Sequence, residues 1–188
     1  MEIERLSING AWQTHSRTFE DNRGSFKEWF KNSANVERTG LSFSVAQSNF
    51  SKSKKGVIRG IHYSLNPSAQ WKWISCISGA ILDVVVDIRF DSPTFGSYEE
   101  VELNDTNGKG ILLQANLGHA FQALTENAIV VYNLSSEYHP DFEEEINPLD
   151  KFINIKWPIS EHTMSAKDLN ASSLQDKLKA GVLPSIKI

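Results

Sequence analysis

Short runs of apolar, β-branched and aromatic residues recur through the middle of the chain, and no helical pattern separates them. Turn-forming Ser, Asn, Asp, Gly and Pro residues stand between the runs, for example at 66–68 and 104–108. This spacing is typical of an antiparallel sandwich or barrel. We therefore predict an all-β fold with strands at 43–50, 57–63, 71–77, 81–90, 98–103, 110–113, 120–124 and 128–134.

The segment 81–90 shows the clearest alternation of side chains. Its even-numbered residues are all apolar, whereas Asp83, Asp87 and Arg89 share the opposite face with Val85. The pattern predicts a strand with one packed face and one polar face. We interpret the three charged residues as an ion-pair network.

A helix is predicted only near the C-terminal end of the chain. Ser172 and Gln175 match a capping box there, and Gly181 is placed to end the helix. The length of 188 residues suits one well-filled core, so we expect a single domain spanning 1–188.

Composition and charge exclude several classes of protein. Apolar residues make up 40% of the chain and charged residues 22%, which is typical of a globular protein. The net charge of -4 argues against nucleic-acid binding. The N-terminal residues contain no apolar segment, so neither a signal peptide nor a membrane anchor is predicted. With Cys76 as the one cysteine, no internal disulfide can form, and we expect a cytoplasmic protein.

Polar residues at a spacing of two mark a first candidate binding surface. Gln47, Asn49 and Ser51 would point to one side of a strand, together with Val45. Such groups are costly to bury unless something pairs with them. A polar ligand inside a barrel would satisfy this need, and a solvated sheet face is the alternative.

A second candidate site is the segment containing Arg59, Gly60 and His62. Arginine and histidine in an apolar strand must be exposed or paired. Strict alternation would send Arg59 and His62 to opposite faces, so both can line one pocket only if Gly60 marks a bulge. A purely structural role for His62 is the alternative.

The spacing of the histidines does not match a metal site. Ser64 stands two residues after His62, and Ala120 and Phe121 follow His119, so no His-x-His pair occurs at either place. No glycine-rich phosphate loop, nucleophile elbow or CxxC motif is present. The residues therefore predict acid–base chemistry with no metal and no other cofactor.

Several longer motifs occur in one order along almost the whole chain. They are DNRGSF at 21–26, QSN at 47–49, GVIRGIHY at 56–63, DVVVDIR at 83–89, SPTFG at 92–96, Tyr132, Tyr138 with Pro140 and Glu143, WP at 157–158 and SAKD at 165–168. In these motifs the chain resembles the dTDP-4-dehydrorhamnose 3,5-epimerase family. The resemblance implies a cupin-type jelly-roll barrel (double-stranded β-helix), usually a homodimer, that uses no metal.

The same resemblance implies a reaction and a set of site residues. The family inverts carbons 3 and 5 of dTDP-4-dehydro-6-deoxy-D-glucose, which gives dTDP-4-dehydro-L-rhamnose. By similarity His62 is the base, Asp168 orients it, Lys72 stabilises the enolate and Tyr132 is the acid. The implied substrate contacts are Arg23, Arg59 and His119 at the diphosphate, Tyr138 on thymine, and Glu28, Gln47, Asn49, Glu143 and Lys167 elsewhere.

The chain departs from the family pattern in two places. Ala120 replaces the usual glycine after His119, and the preceding segment 114–118 lacks the family's Pro-x-Gly turn. Trp71 and Trp73 are bulkier than the residues that usually flank Lys72, and we expect them to reshape the pocket.

Alternative functions and the predicted assembly complete the sequence-based interpretation. A relative that inverts only carbon 3 or only carbon 5, a non-catalytic sugar-binding jelly roll and a metal cupin are the alternatives. The expected homodimer would cover open strand edges, and the apolar residues before Asp21 could pair with a neighbouring subunit. They are Ile3, Leu6, Ile8 and Trp12.

Overall fold

The computed structural model describes residues 1–65, 67 and 69–186, so Asn66 and Ser68 of the predicted 66–68 turn lie outside the described residues. The strands are β1 (Glu2–Arg5), β2 (Ala11–His15), β3 (Thr18–Asp21), β4 (Gly24–Lys27), β5 (Gln47–Ser53), β6 (Ile58–Ser64), β7 (Lys72–Ser78), β8 (Ala80–Val86), β9 (Tyr98–Asn104), β10 (Lys109–Leu113), β11 (Gly118–Ala123), β12 (Ala128–Leu134) and β13 (Glu143–Glu145). The helices are α1 (Asn32–Thr39), α2 (Ala166–Leu169), α3 (Leu174–Ala180) and a 3-10 helix at Pro140–Phe142.

The strands form two facing antiparallel sheets. One has six strands in the order β1-β2-β10-β7-β12-β5, and the other has five in the order β13-β6-β11-β8-β9. The hairpin β3–β4 forms a separate two-stranded ribbon. This arrangement confirms the predicted all-β jelly-roll barrel. Among the described residues, no helix is long and apolar enough to cross a membrane.

Each of the eight predicted strands overlaps an observed strand, whereas the short elements β1 to β4, α1, β13 and α2 were missed. The strands β1, β3, β4 and β13 are short and exposed or half-buried, so hydrophobic alternation hardly marks them, and β2 is mostly buried but only five residues long. The prediction that helix occurs only near the end was wrong, because α1 lies between β4 and β5. The C-terminal helix α3 is confirmed, although Ser173 rather than Ser172 caps it, and Gly181 ends it in the left-handed conformation.

Three apolar clusters fill and cover the barrel. The main core draws residues from both sheets, including Ile74 and Val130 from one and Val85 and Phe121 from the other. A second cluster contains Val84, Val86 and Ala120 with Ile153 and Leu174 of the C-terminal segment. A third cluster packs Trp12, Trp73 and Leu112 of the six-stranded sheet against Phe43. The five-stranded sheet is therefore buried on both faces.

This double coverage corrects the predicted polar face of segment 81–90. Asp83 and Asp87 are both buried, and the strand ends at Val86 rather than at residue 90. Arg89 Nη2 donates to Asp87 Oδ2 over 2.6 Å, as the predicted ion pair requires. Burial raises the pKa of Asp87, but hydrogen bonds from Arg89 and from two hydroxyl groups outweigh it and leave this pKa below its ordinary value. Asp83 is not part of that pair.

A bulge in β6 decides which of its side chains face the barrel interior. Arg59 pairs with Phe121 and His62 with His119, so β6 advances three residues (59 to 62) while β11 advances two (121 to 119). Gly60 has a φ of +125°, and a Cβ added there would lie 2.4 Å from the Cβ of Ala120. The bulge predicted at Gly60 is confirmed, and it lets Arg59 and His62 line the same cavity.

The contact between Gly60 and Ala120 predicts a specific stability loss. Gly60→Ala should lower the free energy of unfolding by about 1–3 kcal/mol more than Gly24→Ala, because only position 60 is overpacked. Gly24 is a matched control, since its φ is +127° and an added Cβ would meet nothing within 4 Å. Urea unfolding at one protein concentration measures the difference. Equal losses in the two variants would contradict the steric argument.

Candidate active site

A cavity of ≈ 440 Å³ opens between the two sheets at one end of the barrel. Strands from both sheets and the segments after β12 and before α2 contribute to its walls. The residues that line it are Asn49, Phe50, Ser51, Arg59, His62, Gln70, Lys72, His119, Phe121, Tyr132, Leu134, Tyr138, Glu143, Glu144, Ser165, Lys167 and Asp168.

His62 and Asp168 form a dyad on the wall of the five-stranded sheet. His62 Nε2 lies 2.7 Å from Asp168 Oδ1, and the two side chains are 41% and 4% exposed. Burial raises the pKa of Asp168, but the hydrogen bond and the charge of His62 outweigh it and leave the pKa below its ordinary value. An ionised carboxylate only accepts, so Nε2 carries the proton and the lone pair of a neutral His62 ring lies on Nδ1.

Helix capping positions the carboxylate of this dyad. The Ser165 side chain accepts a hydrogen bond from the Asp168 backbone N over 3.0 Å, which caps the four-residue helix α2. The cap orients the first turn, so Asp168 projects back against β6. A helix of four residues shows no periodicity that sequence analysis could detect.

Lys72 places a cation in the buried part of the cavity. It begins β7 and is buried, and its Nζ donates to the His62 backbone O over 3.4 Å. Burial lowers the pKa of Lys72, and the charge of Glu143 opposes that effect. Glu143 Oε1 is itself buried and has no hydrogen-bond partner among the residues that the structure describes, and burial raises the pKa of this carboxyl. An ammonium in such surroundings can stabilise negative charge that develops on a bound ligand.

Tyr132 stands on the opposite wall, in the six-stranded sheet. Its OH lies 2.9 Å from Ser51 Oγ. Burial raises the pKa of Tyr132, and the hydrogen bond with Ser51 opposes that rise. The phenol is therefore protonated at neutral pH and can act as a proton donor.

His119 forms a second histidine–carboxylate pair, which sequence analysis missed. His119 Nε2 lies 2.8 Å from Asp83 Oδ2, and both side chains are buried. The His119 ring also meets the Tyr132 ring edge to face, with 6.2 Å between the centroids. The sequence predicts Asp83 in an ion-pair network with Asp87 and Arg89, because alternation along one strand does not show which residues lie on the neighbouring strand, here His119 on β11.

Polar residues near the rim form their own network. Arg59 is exposed and its Nε donates to Ser53 Oγ over 3.1 Å. Gln47 Nε2 donates to Asn49 Oδ1 over 2.9 Å, and Gln47 Oε1 accepts from the backbone N of Tyr138 over 2.8 Å. These contacts hold the exposed Tyr138 ring at the mouth. On the same rim, Lys167 pairs with Glu145 over 2.8 Å.

Three predicted substrate contacts do not line the cavity: Gln47, which contacts the lining residues Asn49 and Tyr138 at the rim, and Arg23 and Glu28, which lie away from it. Arg23 is 86% exposed at the tip of the β3–β4 hairpin, where it pairs with Asp21. Glu28 follows the hairpin and pairs with Lys31 over 3.4 Å. Neither residue lines the cavity of its own chain.

Trp71 and Trp73 do not reshape the pocket, so that expectation was wrong. Lys72 faces the cavity, and its neighbours in an extended chain point to the other side. Trp73 is buried in the third apolar cluster, and Trp71 packs against the same cluster. Several lining residues carried no signal in the sequence, because aromatic and aliphatic side chains such as Phe50, Phe121 and Leu134 are equally typical of a core.

The metal-ligating residue types are dispersed in this structure. Within residues 1–65, 67 and 69–186, no three His, Cys, Asp or Glu side chains come together as a cation site.

Comparisons in sequence and in structure agree on one family. The profile of dTDP-4-dehydrorhamnose 3,5-epimerase matches residues 5–176. The dTDP-4-dehydrorhamnose 3,5-epimerase of Mycolicibacterium smegmatis is 41% identical over 186 residues, which are 98% of this chain and 92% of that protein. A solved epimerase structure from Mycobacterium tuberculosis has a TM-score of 0.96 at 37% identity and covers 100% of this chain and 95% of that one.

A second solved structure adds a ligand to the comparison. It is a 3'-monoepimerase from Streptomyces bikiniensis in complex with dTDP-quinovose, with a TM-score of 0.93 and 42% identity over 97% of this chain and 92% of that one. The match extends over most of the chain in both sequence and fold. The chain therefore belongs to the dTDP-4-dehydrorhamnose 3,5-epimerase family.

Proposed function

We propose that the protein is a nucleotide-sugar epimerase that inverts carbons 3 and 5 of dTDP-4-dehydro-6-deoxy-D-glucose and so forms dTDP-4-dehydro-L-rhamnose. The observation that carries the proposal is the arrangement of three groups around one cavity. A histidine–aspartate dyad lies on one wall, a tyrosine lies on the other, and a buried lysine from the tyrosine's sheet reaches the backbone O of the histidine. Membership of the epimerase family supports the same reaction.

In this mechanism His62 acts as the base. Its Nδ1 takes the proton from a carbon next to the 4-keto group, and the C–H electron pair moves onto the keto oxygen to give an enolate. Asp168 holds the ring in the required tautomer and stabilises the imidazolium that forms. Lys72 offsets the negative charge of the enolate oxygen.

Tyr132 returns a proton from the other side. Because His62 and Tyr132 belong to facing sheets, a carbon between them loses its proton on one face and gains another on the opposite face. The Tyr132 O–H bond breaks, a C–H bond forms from the enolate electron pair, and a phenolate remains. The proton that His62 has taken leaves to solvent, and the phenolate takes one back from solvent.

The remaining predicted residues would bind the nucleotide and the sugar. Arg59 and His119 would contact the diphosphate, since guanidinium and imidazolium groups donate well to phosphate oxygens. Tyr138, exposed at the mouth, would stack on thymine. Further contacts with the substrate would come from Gln47, Asn49, Glu143 and Lys167.

The proposed reaction needs no redox cofactor, because a proton leaves and a proton returns with no net oxidation. A cytoplasmic location belongs to the same proposal. The free, buried Cys76 supports it, because extracellular domains more often use cysteine in disulfides.

We also propose a homodimer, and the position of Arg23 supports it. Arg23 can reach a diphosphate only from a second copy, since it projects on an exposed hairpin together with Phe26, which is 69% exposed. A hairpin with such side chains fits a contact with a partner subunit better than contact with water. Of the N-terminal apolar residues that could pair with a neighbouring subunit, Ile8 and Trp12 are buried in their own chain, whereas Ile3 lies on β1, the edge strand of the six-stranded sheet, and is half-buried like Leu6.

A mono-epimerase is the second candidate function. The 3'-monoepimerase from Streptomyces bikiniensis shares 42% identity with this chain, so membership of the family does not fix the number of inverted carbons. In a mono-epimerase His62, Tyr132 and Lys72 would keep their roles as base, acid and cation, but they would act at a single carbon.

The roles of His62 and Tyr132 predict different failures in deuterium oxide. His62→Ala should lose both exchange and inversion by about 10²- to 10⁴-fold, because the proton has no other acceptor in the proposed set. Tyr132→Phe should still exchange, with deuterium returning from His62 to the face it left, while inversion falls. NMR of dTDP-4-dehydro-6-deoxy-D-glucose after incubation measures both at carbons 3 and 5. Near-normal inversion by Tyr132→Phe would mean that another group is the acid, and inversion at one carbon in the wild type would favour the mono-epimerase.

The diphosphate role of Arg59 predicts weaker binding of dTDP. Arg59→Ala should lose about 1.5–3 kcal/mol, the range for hydrogen bonds to charged groups. Lys179→Ala removes the same charge from an exposed helix position and should leave the affinity unchanged. Titration calorimetry measures both. Equal affinities for Arg59→Ala and wild type would remove Arg59 from the site.

The dimer proposal predicts complementation between two inactive variants. Arg23→Ala and His62→Ala should each be impaired as homodimers. Mixed dimers should regain up to half of the wild-type activity per dimer. One of their two cavities combines the intact His62 of the Arg23→Ala subunit with the intact Arg23 of the His62→Ala subunit, and the other cavity lacks both residues. Co-expression with two different tags isolates the mixed dimer. A mixed dimer without recovered activity, or a monomeric mass by light scattering, would contradict the proposal.

A further inference from the structure

The hydroxyl group of Ser51 is the hydrogen-bond partner of the proposed acid. Ser51 Oγ lies 2.9 Å from Tyr132 OH, and either atom can be the donor. Ser51 is half-buried on β5 and lines the cavity, directly beside the strand that carries Tyr132.

The direction of this hydrogen bond decides whether the phenol can work as an acid. Tyr132 has one O–H proton. If that proton is donated to Ser51, it points away from the substrate. If Ser51 donates instead, the phenol oxygen is an acceptor there and its own proton is free to point into the cavity.

We propose that Ser51 is a positioning residue for the acid: its hydroxyl donates to Tyr132 and directs the phenol proton towards the substrate carbon. The inference rests on the proposed role of Tyr132 as acid. When the Tyr132 O–H bond breaks and the C–H bond forms, the phenolate oxygen keeps the bonding electron pair. The Ser51 hydrogen bond then becomes a bond to a charged group, which is stronger than the same bond to the neutral phenol.

Burial makes the stabilisation of the phenolate by Ser51 important. Tyr132 packs against the main core and its ring meets that of His119, so the residue is only partly exposed to solvent. Burial already raises the pKa of Tyr132, and the hydrogen bond with Ser51 opposes that rise. Removing Ser51 would leave the phenolate less stabilised at the step where it forms.

Ser48, a second serine on β5, offers a matched control. Ser48 Oγ donates to Asn133 Oδ1 over 2.9 Å, so it also bridges β5 and β12. Ser48 does not line the cavity. A serine-to-alanine change there removes a hydroxyl group and a cross-strand hydrogen bond without touching the proposed acid.

The test compares Ser51→Ala, Ser51→Thr and Ser48→Ala in deuterium oxide with dTDP-4-dehydro-6-deoxy-D-glucose. In Ser51→Ala the rate of inversion should fall about 10- to 100-fold, while exchange through His62 and the KM stay within about threefold of wild type. Ser51→Thr keeps the hydroxyl group and should restore inversion to within about fivefold. Ser48→Ala should behave as wild type in both measurements.

The outcomes separate this inference from the proposed function. If Tyr132→Phe blocks inversion but Ser51→Ala inverts normally, Tyr132 is the acid and Ser51 does not position it. If Tyr132→Phe inverts normally, the acid assignment itself fails and the inference falls with it. A parallel loss of exchange and inversion in Ser51→Ala, or no rescue by threonine, would show that Ser51 serves substrate binding or strand packing, and would overturn the inference.

Discussion

The cavity depends on the close approach of β6 and β11 at Gly60. The methyl group of Ala120 occupies the space that a side chain at position 60 would need, so the two strands lie together only because that residue has none. The bulge at this point turns Arg59 and His62 to the same side. In a regular ladder one of them would face the apolar cluster behind the sheet, where an unpaired polar group is costly to bury.

The two walls of the cavity carry groups with different acid–base properties, and burial contributes to this difference. On the five-stranded sheet each histidine is matched with a carboxylate, His62 with Asp168 and His119 with Asp83, because both carboxylates are buried and a buried polar group needs a partner. On the six-stranded sheet Tyr132 and Lys72 have weaker partners, so burial raises the pKa of the first and lowers that of the second. A base on one side and a neutral acid on the other are the two groups that inversion of a carbon requires.

Two of the substrate contacts that the family resemblance implies, Arg23 and Glu28, lie on or just after the hairpin β3–β4 and do not line the cavity of their own chain. Arg23 and the aromatic ring of Phe26 project into solvent, and Glu28 lies just beyond them. An exposed aromatic ring such as that of Phe26 lowers the solubility of a monomer unless another molecule covers it. The proposed symmetric dimer would satisfy both needs with one contact, since each hairpin would cover a surface and complete a site at the same time.

The sequence by itself determined the central strands, the C-terminal helix, the family and most of the lining polar residues, because alternation, turn residues and motif order are local properties of the chain. The bulge at Gly60 also followed from local reasoning. Only the tertiary structure decided that Asp83 is the partner of His119, that Trp71 and Trp73 pack outside the barrel, that the five-stranded sheet is buried on both faces and that Arg23 stays away from its own cavity. These facts depend on which strands become neighbours and on what covers each face, and such contacts between residues distant in the chain leave no periodic signal in the order of the amino acids.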